Sequence, residues 1–243
     1  MTDTKTLQDK INEFWSWRGR SGSPGDLAIR NEAELKTWMG VLEPLLPPAP
    51  ADVVDLGTGQ GFVALVMAAL GHRTRGFDLA EGQLERAREY AAQTSNPPVF
   101  DIGDAGDPPL GEASVDVLAS RDVLWTLLDP AAAFRNWFQI IRPAGRLLVF
   151  HGVTLSDSRH PETRSRGDEL YKETIPADRL LPLRHQPTLD PAVPLAQKAG
   201  FQDVDVIRLG VIEDFVRELE GKEMVWLVLT ATRPKTAEGR GAA

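Results

Sequence analysis

Apolar and polar positions divide the chain into two rhythms. Over the first 45 residues the apolar positions recur at helical spacing. Leu7, Ile11, Phe14 and Trp15 line one face of a first helix, until Gly19, Gly22, Pro24 and Gly25 interrupt the pattern. A second helix is predicted over 29–43, with Ala33, Leu35, Trp38, Met39 and Leu42 on its apolar side; it runs into the proline-rich stretch 44–50. From Ala51 onward short apolar runs alternate with helical patterns. Strands are predicted at 53–56, 75–77, 99–102, 115–119, 146–150, 204–209 and 225–231, and helices at 61–70, 81–93, 130–141 and 190–199. Such alternation predicts a parallel sheet covered on both faces. The segment between the last two strands is poorly apolar, which allows an antiparallel edge. The expected organisation is a helical cap over 1–45, an α/β domain over 46–234 with an irregular insertion over 152–190, and a frayed polar tail over 235–243.

Composition narrows the chemistry. A chain of 243 residues with 42% hydrophobic and 26% charged positions is an ordinary globular domain. It has no cysteine, which removes disulfides, thiolate metal sites and a thiol nucleophile together. No H-x-x-x-H pair or dense carboxylate cluster occurs, so no metal is expected. A net charge of −8 opposes a nucleic-acid partner. The start carries no apolar signal core, and the longest apolar run, 62–70, is far short of the roughly 20 residues of a membrane span. A cytoplasmic protein with no membrane partner is expected, as a monomer or homodimer.

The richest local signal is Asp55-Leu56-Gly57-Thr58-Gly59-Gln60-Gly61, which follows a predicted strand and opens a helix. Glycines let the backbone turn tightly and let a ligand approach where a Cβ would block it. The helix start offers free N–H groups to acceptor atoms. The dinucleotide fingerprint G-x-G-x-x-G/A fails here, because its third small residue falls on Phe62. The pattern D-x-G-x-G-x-G fits throughout.

That pattern resembles motif I of the class I S-adenosylmethionine (SAM)-dependent methyltransferases, in their small-molecule group. The stretch Ile141-Arg142-Pro143-Ala144-Gly145-Arg146-Leu147 resembles the family's L-x-P-G-G-x-L signature, with Ala144 in place of the first glycine, a departure expected to leave the turn unaffected. The resemblance covers about 51–152. It implies a Rossmann-like three-layer α/β/α sandwich with a seven-stranded, mostly parallel sheet and an N-terminal helical cap. It also implies SAM as cofactor and S-adenosylhomocysteine as product.

Residue by residue, the resemblance places Asp55 near the positive end of the cofactor and the backbone at Gly57 and Gly59 beneath its methionine part, with Thr58 and Gly61 of the same turn also cofactor-binding. Asp78, with Leu79 after it, ends the second strand, where a carboxylate can accept from both ribose hydroxyls. Asp104 and the Ala105 N–H would meet the adenine. Ser120 and Arg121 end the fourth strand at the cofactor, and Asp122 follows beside the reacting methyl. Of the histidines His72, His151, His160 and His185, His151 ends strand five and is the candidate base, with Asp122 as the second catalytic candidate. His72 follows a helix-ending glycine and is expected at the surface. Trp15, Trp125 and Tyr171 are candidate walls for the acceptor. The expected activity is methyl transfer from SAM to O or N of a small-molecule acceptor by in-line displacement. Its rivals are a SAM-binding enzyme of this fold with non-methylating chemistry (cyclisation, decarboxylation or hydroxylation) and a nicotinamide-dependent oxidoreductase.

Overall fold

A computed structural model describes residues 4–21, 29–154, 181–183, 186–221 and 223–235. The short apolar runs become β1 (Asp52–Leu56), β2 (Arg73–Asp78), β3 (Val99–Ile102), β4 (Val115–Arg121), β5 (Ile141–Thr154), β6 (Gln202–Arg208) and β7 (Met224–Thr232). They form one seven-stranded sheet in the order β3-β2-β1-β4-β5-β7-β6. The first five strands pair in parallel. Strand β7 runs antiparallel between β5 and β6. The reversed strand is therefore internal, and the edge is β6.

Successive residues of the central strands serve opposite faces, as the two-residue side-chain period requires. Val53, Val117, Ala119, Leu148 and Phe150 pack against α2 (Glu32–Leu42), α3 (Phe62–Ala69) and a helix from Gly210 to Glu220. Val54, Leu56, Leu118, Leu147 and Val149 pack against α5 (Pro130–Ile140) and α6 (Val193–Ala199). The sequence of α3, FVALVMAA, has no polar position. A helix apolar all round has to be covered all round. Here the sheet and α2 lie on one side, and α4 (Glu81–Ala91) covers the rest.

Four expectations change. The segment read as poorly apolar is a helix, α7 (Gly210–Glu220); its buried stripe is little more than Ile212 and Val216, while Val211 and Leu219 face solvent. The second helix starts at Glu32 rather than at residue 29, because Asn31 caps it by accepting from Glu34 N at 2.9 Å. Gly19 does not end α1 (Thr4–Arg20) but lies inside it. A Cβ on Gly19 would lie 2.3 Å from the Gly82 oxygen, and one on Gly82 would lie 2.0 Å from the Ser16 oxygen. The two glycines let α1 and α4 cross backbone to backbone, which seats the N-terminal helix on α4. His72 is also corrected: it is buried, and its Nδ1 accepts from Ala51 N at 3.3 Å. Burial pushes its pKa below the usual imidazole value.

Candidate active site

The carboxyl ends of β1, β2, β4 and β5 meet in one cleft, the usual ligand position in an open parallel sheet. On the β1 side the turn is built from left-handed glycines: φ is +65° at Gly57, +55° at Gly59 and +85° at Gly61. A Cβ at Gly57 would lie 2.2 Å from Val123 Cγ2, so the turn closes against the chain after β4. A Cβ at Gly59 would meet nothing within 4 Å. Open space over a left-handed glycine is a cradle that a side chain would fill.

Asp55 organises this turn from below. It is 1% exposed. Its Oδ2 accepts from the Thr58 hydroxyl at 2.6 Å and from Ala64 N, in the first turn of α3, at 3.1 Å. Its Oδ1 is buried and has no partner. Burial drives its pKa up to about 7, against the pull of those two hydrogen bonds and of the Arg121 charge. Asp78 closes the turn from the side: its Oδ2 accepts from Gly59 N at 2.9 Å and its Oδ1 from Ala80 N at 2.8 Å. Burial raises the Asp78 pKa against these backbone donors. Each carboxylate oxygen has two lone pairs, so both keep capacity for hydroxyl donors.

The remaining cofactor candidates divide. Leu79 is partly buried beside Asp78. Asp104 is exposed and accepts from Gly106 N at 2.8 Å, an Asx turn. The carbonyl of Ala105 is taken by Trp137 Nε1 at 2.7 Å. Ser120 is a correction: it has no exposed surface, and its hydroxyl donates to the Leu56 carbonyl at 3.0 Å, tying β4 to β1. Arg121 stacks on aromatic rings; its guanidinium lies 4.0 Å from the Phe62 ring centroid and 5.9 Å from that of Trp226.

On the β4–β5 side the two catalytic candidates touch. His151 Nδ1 lies 3.2 Å from Asp122 Oδ1, and His151 Nε2 lies 3.1 Å from the Gln186 carbonyl oxygen. Asp122 Oδ1 also accepts from Gly152 N at 2.9 Å, and Asp122 N donates to the Phe150 carbonyl at 2.9 Å. These bonds hold Asp122 at φ +56°, a conformation that aspartate tolerates but that costs energy. Burial lowers the His151 pKa, but the Asp122 hydrogen bond and charge and the Gln186 carbonyl outweigh it, and the net direction is up.

Trp15 and Trp125, far apart in sequence, meet edge to face with centroids 6.0 Å apart. Their contact joins α1 to the chain after β4. Gln83 adds a second tie that sequence reasoning missed: its Nε2 donates to the Trp15 carbonyl at 3.1 Å. Gln186 was missed too, and nothing in its side chain could have flagged it, because only its backbone acts. Gly82 had a signal, an isolated glycine in a helical pattern. Tyr171, His160 and His185 lie outside the described residues. Among the described residues no group of three or more His, Cys, Asp or Glu could hold a metal, and no helix is long and apolar enough to cross a membrane.

A Rossmann-like sheet with a glycine cradle, a buried carboxylate at its base and a second carboxylate on the neighbouring strand defines a nucleoside-cofactor domain. Residues 54–149 match the model of a family described as a methyltransferase domain. That match, on a Rossmann-like sheet, is to a methyltransferase domain, and S-adenosylmethionine is the cofactor it implies. The chain is 29% identical over 145 residues to a 27-O-demethylrifamycin SV methyltransferase of Amycolatopsis mediterranei, which covers 58% of this chain and 53% of that protein. It spans about half the length of the curated relatives it matches. Among solved structures it superposes on a phosphoethanolamine N-methyltransferase of Haemonchus contortus, with a TM-score of 0.63 and 16% identity, covering 94% of this chain and 60% of that one. It also superposes on the [4+2]-cyclase SpnF, with a TM-score of 0.60 and 16% identity, covering 95% and 93%. These structural likenesses establish the fold.

The cradle fits the cofactor. Gly59 leaves open space where a Cβ would stand, and in the same turn Asp55 Oδ1 is a buried oxygen without a hydrogen-bond partner. Asp78, with one backbone donor on each oxygen, keeps lone pairs of the kind that ribose hydroxyls need.

Proposed function

We propose that this protein transfers a methyl group from SAM to an oxygen or nitrogen of a small-molecule acceptor. The observation that supports this reading is that the Gly57–Gly59 turn closes against Val123, next to the Asp122–His151 pair, so that candidate cofactor and acceptor groups lie on adjoining strand ends. When bound, SAM supplies an electrophilic methyl on a sulfonium. The chain then has to align and exclude water. Alignment of a bound pair can supply roughly 7–11 kcal/mol of the barrier. Gly57 and Gly59 with Asp78 would fix the cofactor; the Trp15–Trp125 contact and the 186–192 segment would cover the acceptor and keep water from it. Relatives whose names specify an O-acceptor and structural neighbours whose names specify an N-acceptor leave both atoms within the proposal.

The test is methyl-labelled SAM incubated with the purified protein and an extract of its source cells. Label recovered in a small-molecule fraction is the expected result; label in protein or RNA overturns the acceptor class. In the same assay His151→Ala is expected to slow labelling with little change in SAM affinity. A second reading, cofactor-dependent chemistry without methyl transfer, draws on the fold likeness to the cyclase. Tight SAM binding with no label in any fraction would favour it.

A further inference from the structure

The acceptor end of the cleft is filled by the chain itself. Leu124, Trp125, His151, Leu183, Gln186 and Leu189 are among the walls of a space of about 20 Å³. That is room for one water and no acceptor. Both ring nitrogens of His151 face oxygens that can only accept, the Asp122 carboxylate and the Gln186 carbonyl. A neutral imidazole carries one N–H, so it can satisfy one of these contacts and not both. Two donors require the imidazolium. Asp122, itself fixed by Gly152 N and by the Phe150 carbonyl, is the charged partner among the described residues. The Gln186 carbonyl is a different kind of partner. It is a neutral oxygen, delivered by a segment that lies over the pocket and holds no charge against the histidine.

We propose that His151 is a cationic recognition group rather than a base. The Gln186 carbonyl oxygen holds the place of an acceptor carboxylate, which displaces it from Nε2. With the Gln186 segment moved aside, the enlarged space would take an apolar molecule carrying one carboxylate. Leu124, Trp125 and Leu189 supply apolar walls, and His151 supplies one charge-assisted donor. A carboxylate makes a stronger bond to an imidazolium than a carbonyl does, and that difference drives the exchange. An ammonium group in the same place would meet a like charge. This rests on the methyl-transfer reading for the identity of the pocket as the acceptor site, but its test does not depend on turnover.

The probes are benzoate and benzylamine, and the readout is the side-chain ¹⁵N spectrum of His151 near pH 7, assigned with His151→Gln. Two protonated ring nitrogens are expected in the free protein. Benzoate should shift Nε2 and quench Trp125 fluorescence, and benzylamine should do neither. His151→Gln and Asp122→Asn should each weaken benzoate by about tenfold or more, the loss of a charge-assisted bond, with circular dichroism unchanged. One unprotonated nitrogen near pH 7, no response to benzoate, or an equal response to benzylamine would each overturn the proposal. SAM binding, measured by calorimetry on the same samples, judges the cofactor reading separately.

Discussion

The two halves of the cleft are held by different means over different chain distances. In the cofactor half, a seven-residue turn is fastened by its own first residue, Asp55, and by Asp78 on the next strand. The side-chain hydrogen bonds there run from a nearby hydroxyl or backbone N–H to a carboxylate, and Thr58 N adds one to the Phe77 carbonyl. In the acceptor half, Asp122, His151 and Gln186 come from three separate segments, and Trp15 reaches Trp125 from the far N-terminus. The first half is a local device that keeps its shape as long as β1 and β2 pair. The second exists only when α1, β4, β5 and the 186–192 segment are all in place. Cofactor binding should therefore be sensitive to single backbone positions and indifferent to the cap, and acceptor binding the reverse.

The largest expected effect tests the cofactor half. Gly59→Ala places a methyl group in the cradle at φ +55°. It should weaken SAM by at least tenfold in calorimetry while costing the fold only about 1–2 kcal/mol, the penalty of a left-handed alanine. Normal SAM affinity in a folded Gly59→Ala protein would show that the turn is not the cradle. Asp78→Asn should follow, with a loss of about 1.5–3 kcal/mol in SAM binding, the range for a hydrogen bond to a charged group.

The acceptor half is tested through the cap. Gly82→Leu forces a side chain against Ser16 backbone atoms 2.0–3.0 Å from its Cβ. The outcome expected is release of α1, seen as faster proteolysis near residue 20 and a cost of about 1–3 kcal/mol, with the sheet intact. Acceptor turnover should fall further than SAM affinity. Equal losses of both would break the contrast between the halves.

A pH experiment separates the halves again. The Asp55 pKa is raised from its usual value to about 7 in the folded protein, chiefly by burial. The folded state then holds a proton that the unfolded state has released. Its contribution to stability is full below the ordinary carboxylate pKa and is lost as pH rises through about 7. Asp55→Asn should flatten that decline between pH 5 and 8 in denaturant titrations; an unchanged decline would remove Asp55 as its source. His72 works in the opposite sense. Its lowered pKa means stability present above the ordinary imidazole value and lost as pH falls below it.

Legibility in the sequence follows the same division. The strand–turn–helix at 52–69 was readable because its determinants are contiguous: an apolar run, three glycines at fixed spacing, then eight apolar residues. Asp78 was readable because it ends the next short strand. Ser120 was misassigned because strand β4 runs two residues past its apolar pattern, which carries that hydroxyl inside the sheet. Helix α7 was legible and overlooked: Val211, Ile212, Phe215, Val216 and Leu219 recur at helical spacing, but the charged residues between them lower the mean apolarity of the segment. The His151–Gln186 contact could not be read at all: a backbone carbonyl carries no residue code. His72 was misplaced because burial after a helix end depends on the strand that packs over it.

The smallest effect concerns a residue outside the cleft, where the resemblance implies an unaffected turn. Ala144 occupies the first glycine position of the turn before the paired stretch of β5 and adopts φ +66°. The turn forms nonetheless, held by Ala144 N donating to the Arg233 carbonyl at 2.8 Å and Arg233 N to the Gly145 carbonyl at 2.9 Å. The next position is different in kind: a Cβ on Gly145 would lie 2.6 Å from the Asp116 carbonyl oxygen. The first glycine of this turn relieves a backbone angle; the second makes room for a neighbouring strand. Ala144→Gly should therefore stabilise the protein slightly. The left-handed strain it removes outweighs the entropy that glycine adds to the unfolded chain by a fraction of the ~1–2 kcal/mol left-handed penalty. Gly145→Ala should destabilise it through overlap, by about 1–3 kcal/mol. Thermal unfolding of the two variants reads both signs at once. A fall in Tm for Ala144→Gly would mean that the methyl group makes a contact worth more than the strain it carries.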